Sequence, residues 1–158
     1  MPRPYAVAFE AVAITATQDL FEITPADDKP IAIMGYTLDN VGGAADAGDA
    51  QEEILRVSVV RGHTTSGSGG STPTPVPLSG IDTAAGFTVE ANNTTIASAG
   101  TTTVVPFGWN VRTAGRELWP QEMWIWASQA NTTICLRLGT APADSLTTSG
   151  VLYVMEYP

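Results

Sequence analysis

The sequence predicts an all-β chain, folded as a two-sheet β-sandwich of jelly-roll-like topology and carrying a long Gly/Ser/Thr/Pro-rich arm or loop. Three observations predict it. Apolar residues recur at every second position in segment after segment, as half-buried strands require. Gly, Pro, Asn and Asp punctuate these segments at short intervals. No segment of ten or more residues carries a helical apolar stripe.

Taken in order, Tyr5, Val7 and Phe9 fall on one side of an opening strand, and the pattern then shifts toward Val12 and Ile14, as a bulge or two-sided burial would produce. A short strand from Asp19 to Ile23 is closed by Thr24-Pro25 and the Asp27-Asp28 turn. Pro30 opens Ile31 to Leu38, where Met34, Tyr36 and Leu38 oppose Ile31 and Ile33; apolar groups on both faces predict a central strand. After a Gly/Ala/Asp loop comes Ile54 to Gly62, with Leu55, Val57 and Val59 inward and Arg56 and Ser58 outward. Its alternation predicts one solvated face. Further strands are expected over Phe87 to Ala91, Thr102 to Val111, Leu118 to Ser128, Thr132 to Gly139 and Gly150 to Tyr157. The best helical stretch, Ala44 to Leu55, is interrupted by Gly48 and predicts one turn at most.

Residues 62 to 80 have no apolar period until Val76 and Leu78; the Gly/Ser half reads as flexible and the Pro half as extended. Strands continue on both sides, so the expectation is an arm or extended loop inside a single domain spanning residues 1 to 158, in preference to a linker between two. A chain of this length buries about 70% of its unfolded surface and needs no staple. Jelly-roll topology is favoured over immunoglobulin-like because the Cys…Trp…Cys pattern is missing: Cys135 is the single cysteine. It reads as an ordinary packing residue.

Sixteen acidic against seven basic residues give a formal charge of −9, which argues against nucleic acid and anionic membrane as partners. Charged residues make up only 15%, a thin coverage that suits a surface shared with neighbours. No run is long and apolar enough for a membrane helix, and the start lacks the continuous apolar core of a signal peptide, so a soluble chain without an export address is expected.

Catalytic chemistry finds little starting material. His63 is the one histidine, and its place at the mouth of the Gly/Ser segment predicts an exposed loop residue. The nucleophile-elbow, phosphate-loop, dinucleotide and zinc-protease patterns are missing, so neither enzyme activity nor a cofactor is expected. Asp39, Asp46, Asp49, Glu52 and Glu53 gather oxygen ligands, but their spacing matches no calcium loop and a solvated acidic loop is expected, with no metal. Asn93 and Asn131 satisfy the glycosylation rule and read as polar turn residues.

The most informative local feature is Leu118 to Ala127, which holds three of the four tryptophans. In one extended strand Trp124 and Trp126 would share a face opposite Met123, Ile125 and Ala127. Two exposed indoles would form a patch near the limit for a soluble monomer, so this strand is either interior, a subunit interface or a sugar-stacking platform. Trp124, Trp126, Trp119 and Trp109 are the candidate interface residues, and the Trp124/Trp126 and Trp109/Trp119 pairs the candidate stacking rings.

The chain also resembles a group of small structural proteins of tailed bacteriophages. The likeness is carried by Thr17 to Ile23, by Ala47 to Leu55, by Arg61-Gly62 leading into Gly67 to Pro75, by Val89 to Thr95 and by Ala141 to Gly150, and spans nearly the whole chain. It implies a virion component: a capsid decoration or cement subunit, homo-oligomeric and trimeric, partnered by the major capsid protein or another virion protein. A tail or head-fibre position fits the same features.

Overall fold

The computed structural model describes residues 1–41, 53–128 and 133–158. Two antiparallel sheets pack face to face as a β-sandwich. The strands are β1 (Arg3–Ile14), β2 (Gln18–Thr24), β3 (Ile31–Asn40), β4 (Ile54–His63), β5 (Val76–Pro77), β6 (Thr88–Asn93), β7 (Thr102–Asn110), β8 (Gly115–Leu118), β9 (Ile125–Ala127), β10 (Thr133–Leu138) and β11 (Leu146–Glu156). The first sheet has the order β5-β1-β11-β3-β8, with β9 continuing the β8 edge along β3; the second has the order β6-β2-β10-β4-β7. Positions 46, 49, 52 and 131, and most of the expected helical turn over 44–55, lie outside the described residues.

Inward side chains of the two sheets form one continuous core. Three ring pairs bridge it: Tyr5 against Phe87, Phe9 against Phe21 and Tyr36 against Phe107, with centroids 5.5, 5.1 and 4.9 Å apart. Such pairs add about 0.5–1.5 kcal/mol each to the burial itself. The bulge expected in β1 lies between Phe9 and Val12, where Ala11 takes a positive φ of 52°. A second bulge sets β2: Phe21 pairs with Leu136 and Asp19 with Arg137, so the extra residue Leu20 joins Phe21 in the core and Asp19 and Glu22 turn outward.

Several sequence expectations are corrected. Ile31, Ile33, Tyr36 and Leu38 all face inward, because the β3–β11 register shifts between Tyr153 and Val154 opposite Gly35 and Ile33. Gly35 is required there, since a Cβ would lie 2.2 Å from the Glu117 carbonyl oxygen of β8. Leu118 to Ser128 is not one strand: a 3-10 turn, Gln121–Met123, separates β8 from β9. The outer side of β4 is not solvated either, since Ser58 and Val60 are buried.

They are buried because residues 62–80 are not a loose arm. Two nine-residue hooks, 63–71 after β4 and 93–101 after β6, lie across the outer face of the second sheet and bond to each other. Thr65 and Ser98 exchange backbone hydrogen bonds, and so do Ser68 and Thr95. These pairs interchange if 63–71 is exchanged with 93–101, so the hooks are related by a local two-fold. The sequence carries the same relation: Thr64/Thr94, Thr65/Thr95, Ser68/Ser98 and Gly70/Gly100 match at a spacing of thirty. Left-handed backbone recurs at Gly62 and Asn92 and again at Gly69 and Ala99. Each hook also crosses over. The hook from β4 leads to Ser71, which pairs with Ala91 of β6, and the hook from β6 leads to β7, which pairs with β4. Residues 76–77 then join the first sheet as β5, beside Tyr5 and Ala6 of β1.

Candidate functional site

Two regions carry chemistry: the polar layer beneath the hooks and the outer face of the first sheet. Beneath the hooks, Glu90, Glu22, Cys135 and Val60 lie in one row across β6, β2, β10 and β4, and Asp19, Arg137 and Ser58 form the adjoining row. Glu22 is the centre. Its Oε1 accepts from His63 Nε2 at 3.2 Å and Ser66 Oγ at 2.9 Å, and its Oε2 accepts from the Gly67 amide and Asn93 Nδ2, both at 2.9 Å. Burial alone pushes this carboxyl up, but the bonds from His63, Ser66, Gly67 and Asn93 together hold it below its usual value. Asp19 serves the second hook in the same way, accepting from the Ala97 amide at 2.7 Å and from Arg137 Nε at 2.6 Å. Arg137 closes this side by donating to the Ala97 carbonyl at 2.7 Å.

His63 is therefore a buried residue at 1% exposure and not the exposed loop residue expected from its neighbours. With Glu22 and Cys135 it makes a trio whose ligand atoms lie within 4.8 Å of one another. Cys-His-carboxylate sets suggest either nucleophilic catalysis or a metal, and here Glu22 and His63 are engaged with each other and with the hooks. Cys135 Sγ is 3.7 Å from both ring nitrogens, so it lies along the lone pair of neither. Burial, together with the Asp19 and Glu22 charges, pushes the thiol well up, which keeps it protonated and unreactive. Both Glu22 oxygens are already taken by donors. The trio holds a hook in place. Asn93, the first residue of its glycosylation pattern, is buried in the same network.

The acidic loop contributes little that is described. Glu53 accepts from the Ala143 amide at 2.6 Å, and Asp39 is exposed on the first sheet.

The outer face of the first sheet follows from register. Along β11 the inward residues are buried, and Ser149, Val151, Tyr153 and Met155 alternate outward, half-buried. One cross-strand row runs Val76, Ala6, Tyr153 and Gly35 to Leu118; a second runs Ala8, Val151 and Thr37 to Arg116. A third runs Pro4, Met155 and Ala32 to Trp126. Outward strand positions carry charge only at Glu10, Asp39 and Arg116, which lie toward one end. The opposite end is aromatic, with Trp126 and Tyr157 rings 4.7 Å apart and tilted by 38°.

The four tryptophans separate in this frame. Trp109 is an interior residue at 2% exposure, with Nε1 donating to the Thr113 carbonyl, so it offers no surface for a partner or a sugar. Trp119 is partly buried against the core, edge-on to Tyr36, which breaks the expected Trp109/Trp119 stacking pair. Trp124 follows the 3-10 turn and does not share a strand face with Trp126; its Nε1 donates to the Trp119 carbonyl at 2.9 Å. Trp126 is 41% exposed on the β3 edge that also carries exposed Leu118.

Sequence reasoning missed Asp19, Glu22, Asn93 and Arg137 as an anchoring set; the thirty-residue spacing of the two Thr-Thr segments was the signal that pointed to them. Among the described residues no helix is long and apolar enough to cross a membrane. Compared with protein-family models, with curated proteins and with solved structures, the chain matches none.

Proposed function

We propose that this chain is a non-enzymatic structural protein of a tailed-phage virion, a capsid decoration or cement subunit that binds the shell as a homo-oligomer. The observation that carries the reading is the difference between the two outer faces. The second sheet is roofed by its own hooks, whereas the first presents an apolar, nearly uncharged face that none of the described residues covers. A face of this kind is a contact surface, since monomers seldom leave a large contiguous apolar patch in water. The buried Cys-His-Glu trio adds support, because the groups best suited to chemistry are locked into holding a loop. The phage setting comes from the resemblance read in the sequence alone.

The test is co-sedimentation of purified protein with phage shells assembled without it. The expected result is saturable binding at a fixed ratio to the shell protein. Failure to bind, together with absence of the chain from purified virions, sinks the reading. A fibre-type adhesion domain is the second reading, favoured by the exposed Trp126 beside Tyr157. Their 38° tilt leaves one ring at a time to lie flat on a sugar. A glycan array, with loss of the signal in Trp126→Ala, separates the two.

A further inference from the structure

We infer that the outer face of the first sheet is a self-association surface, on which a second copy of this chain packs sheet against sheet about a two-fold axis. The inference rests on the reading of the protein as a contact-making subunit and names what covers its open face.

The first argument is area. Strands β1, β11 and β3, with β8 and β9 together as a fourth, lie about 4.8 Å apart and are crossed by about seven residues at about 3.3 Å each, a flat footprint of roughly 350–450 Å². Accessible area exceeds a flat footprint where side chains stand up from the sheet. The face thus offers, before that relief, about half of the roughly 800 Å² per partner of a standard interface, which suits a weak, concentration-dependent pair. The second argument is shape. A twisted sheet is complementary to another sheet of the same hand, and aligned packing at about −30° is the common solution. The inner face of this same sheet is already covered by a sheet.

Charge makes a copy of the chain acceptable and fixes its orientation. Two molecules of formal charge −9 repel. Between Pro4 and Val151 along the strands, however, the outward positions are Ala6, Ala8, Tyr153, Met155 and their neutral neighbours. A two-fold that runs the strands of the two copies antiparallel places the Glu10/Asp39 end of each over the Trp126/Tyr157 end of the other, so the acidic ends stay apart. An isologous face of this kind joins subunits in pairs and does not by itself generate the trimer that the phage resemblance implies.

The experiment is light scattering and sedimentation of the full chain over a wide concentration range, with Val151→Asp and Ala8→Arg as variants. Both positions lie on the outer face and are not part of the core, and circular dichroism with thermal melting monitors folding. The expected result is a mass twice the 16.5 kDa chain that falls to one chain in both variants at unchanged secondary structure. A control on the roof, Thr65→Asp, stays dimeric. A wild type that is monomeric at every concentration overturns the inference, as does a trimer, or a dimer that persists in a well-folded Val151→Asp or Ala8→Arg protein. Shell co-sedimentation separates the two proposals. A monomer that binds shells by this face refutes the second copy and leaves the virion role standing; a dimer that ignores shells refutes the virion role alone.

Discussion

Burying a carboxylate costs several kcal/mol unless donors meet its oxygens, and Glu22 is met by four. Replacing it with Gln turns one acceptor into a donor and leaves His63, Ser66, Gly67 and Asn93 to compete for what remains. Glu22→Gln should cost about 3 kcal/mol, read as a lower urea midpoint. The pH dependence has a definite sign. The folded carboxyl titrates below its usual value of 4.5, so its contribution is fully present above that pH and is lost as pH falls through the lower folded value. The gap in urea midpoint between wild type and Glu22→Gln should hold from neutral pH to the mid-fours and narrow as the pH falls further; a gap independent of pH would refute the assignment. At Cys135, a thiol kept protonated and enclosed should react with a thiol-specific reagent only when the protein unfolds. Labelling at pH 8 should track the global unfolding rate, and fast stoichiometric labelling of the native protein would show the site to be open. His63 was misread from sequence for a physical reason. Composition shows that a Gly/Ser stretch has no apolar period, but not that its amides bond to another loop thirty residues on.

At the level of elements, the local two-fold of the hooks makes unequal predictions for matched positions. Gly69 and Ala99 both take left-handed backbone, with φ of 89° and 62°. A Cβ at Gly69 would meet Thr94 Oγ1 at 2.5 Å, whereas Ala99 already carries its methyl group. Gly69→Ala should therefore destabilise by about 1–2 kcal/mol. Ala99→Gly exchanges a left-handed alanine for a freer unfolded chain and should gain about 0.5 kcal/mol. Thermal melting of the two variants checks both signs, and two equal losses would mean that the hooks are not related as described. Strands were legible where alternation is uninterrupted: β1 with its bulge, β2, β4 and β10 all lie within a few residues of where their apolar period places them. The exceptions have causes. Leu118 to Ser128 reads as one strand because its apolar content is continuous, yet Pro120 has no amide to give and the chain lifts into a turn before rejoining β3 as β9. Gly115 to Leu118, which pairs with β3 only because Gly35 lets it approach, has no periodic signal at all. The polar layer was hidden for a related reason: outward Ser58 and Glu22 look like solvated positions until something is known to lie over them.

On the scale of the whole molecule, the chain's two ends meet. Arg3 pairs with Glu156 and the β1–β11 ladder runs on to Ile14 and Leu146, so the first and last strands are neighbours inside the first sheet. That pairing closes a loop of almost the entire chain, and long-range closure slows folding far more than it affects stability. Joining the ends should remove the delay. A permutant in which about four Gly/Ser residues connect Pro158 to Met1 turns β1 and β11 into a hairpin. New ends between Gly80 and Ile81 fall where the chain is exposed: Ile81 is 94% accessible, and nothing lies within 4 Å of a Cβ built at Gly80. The cut costs at most the turn bond from the Asp82 amide to the Ser79 carbonyl, while Leu78 and β5 keep their pairing with β1. The permutant should keep the circular dichroism of the parent and its stability to within about 1 kcal/mol, and should refold faster in stopped-flow fluorescence. An unfolded permutant would mean that the ends of the sequence are not held side by side, and the ladder that carries the open face would have to be redrawn.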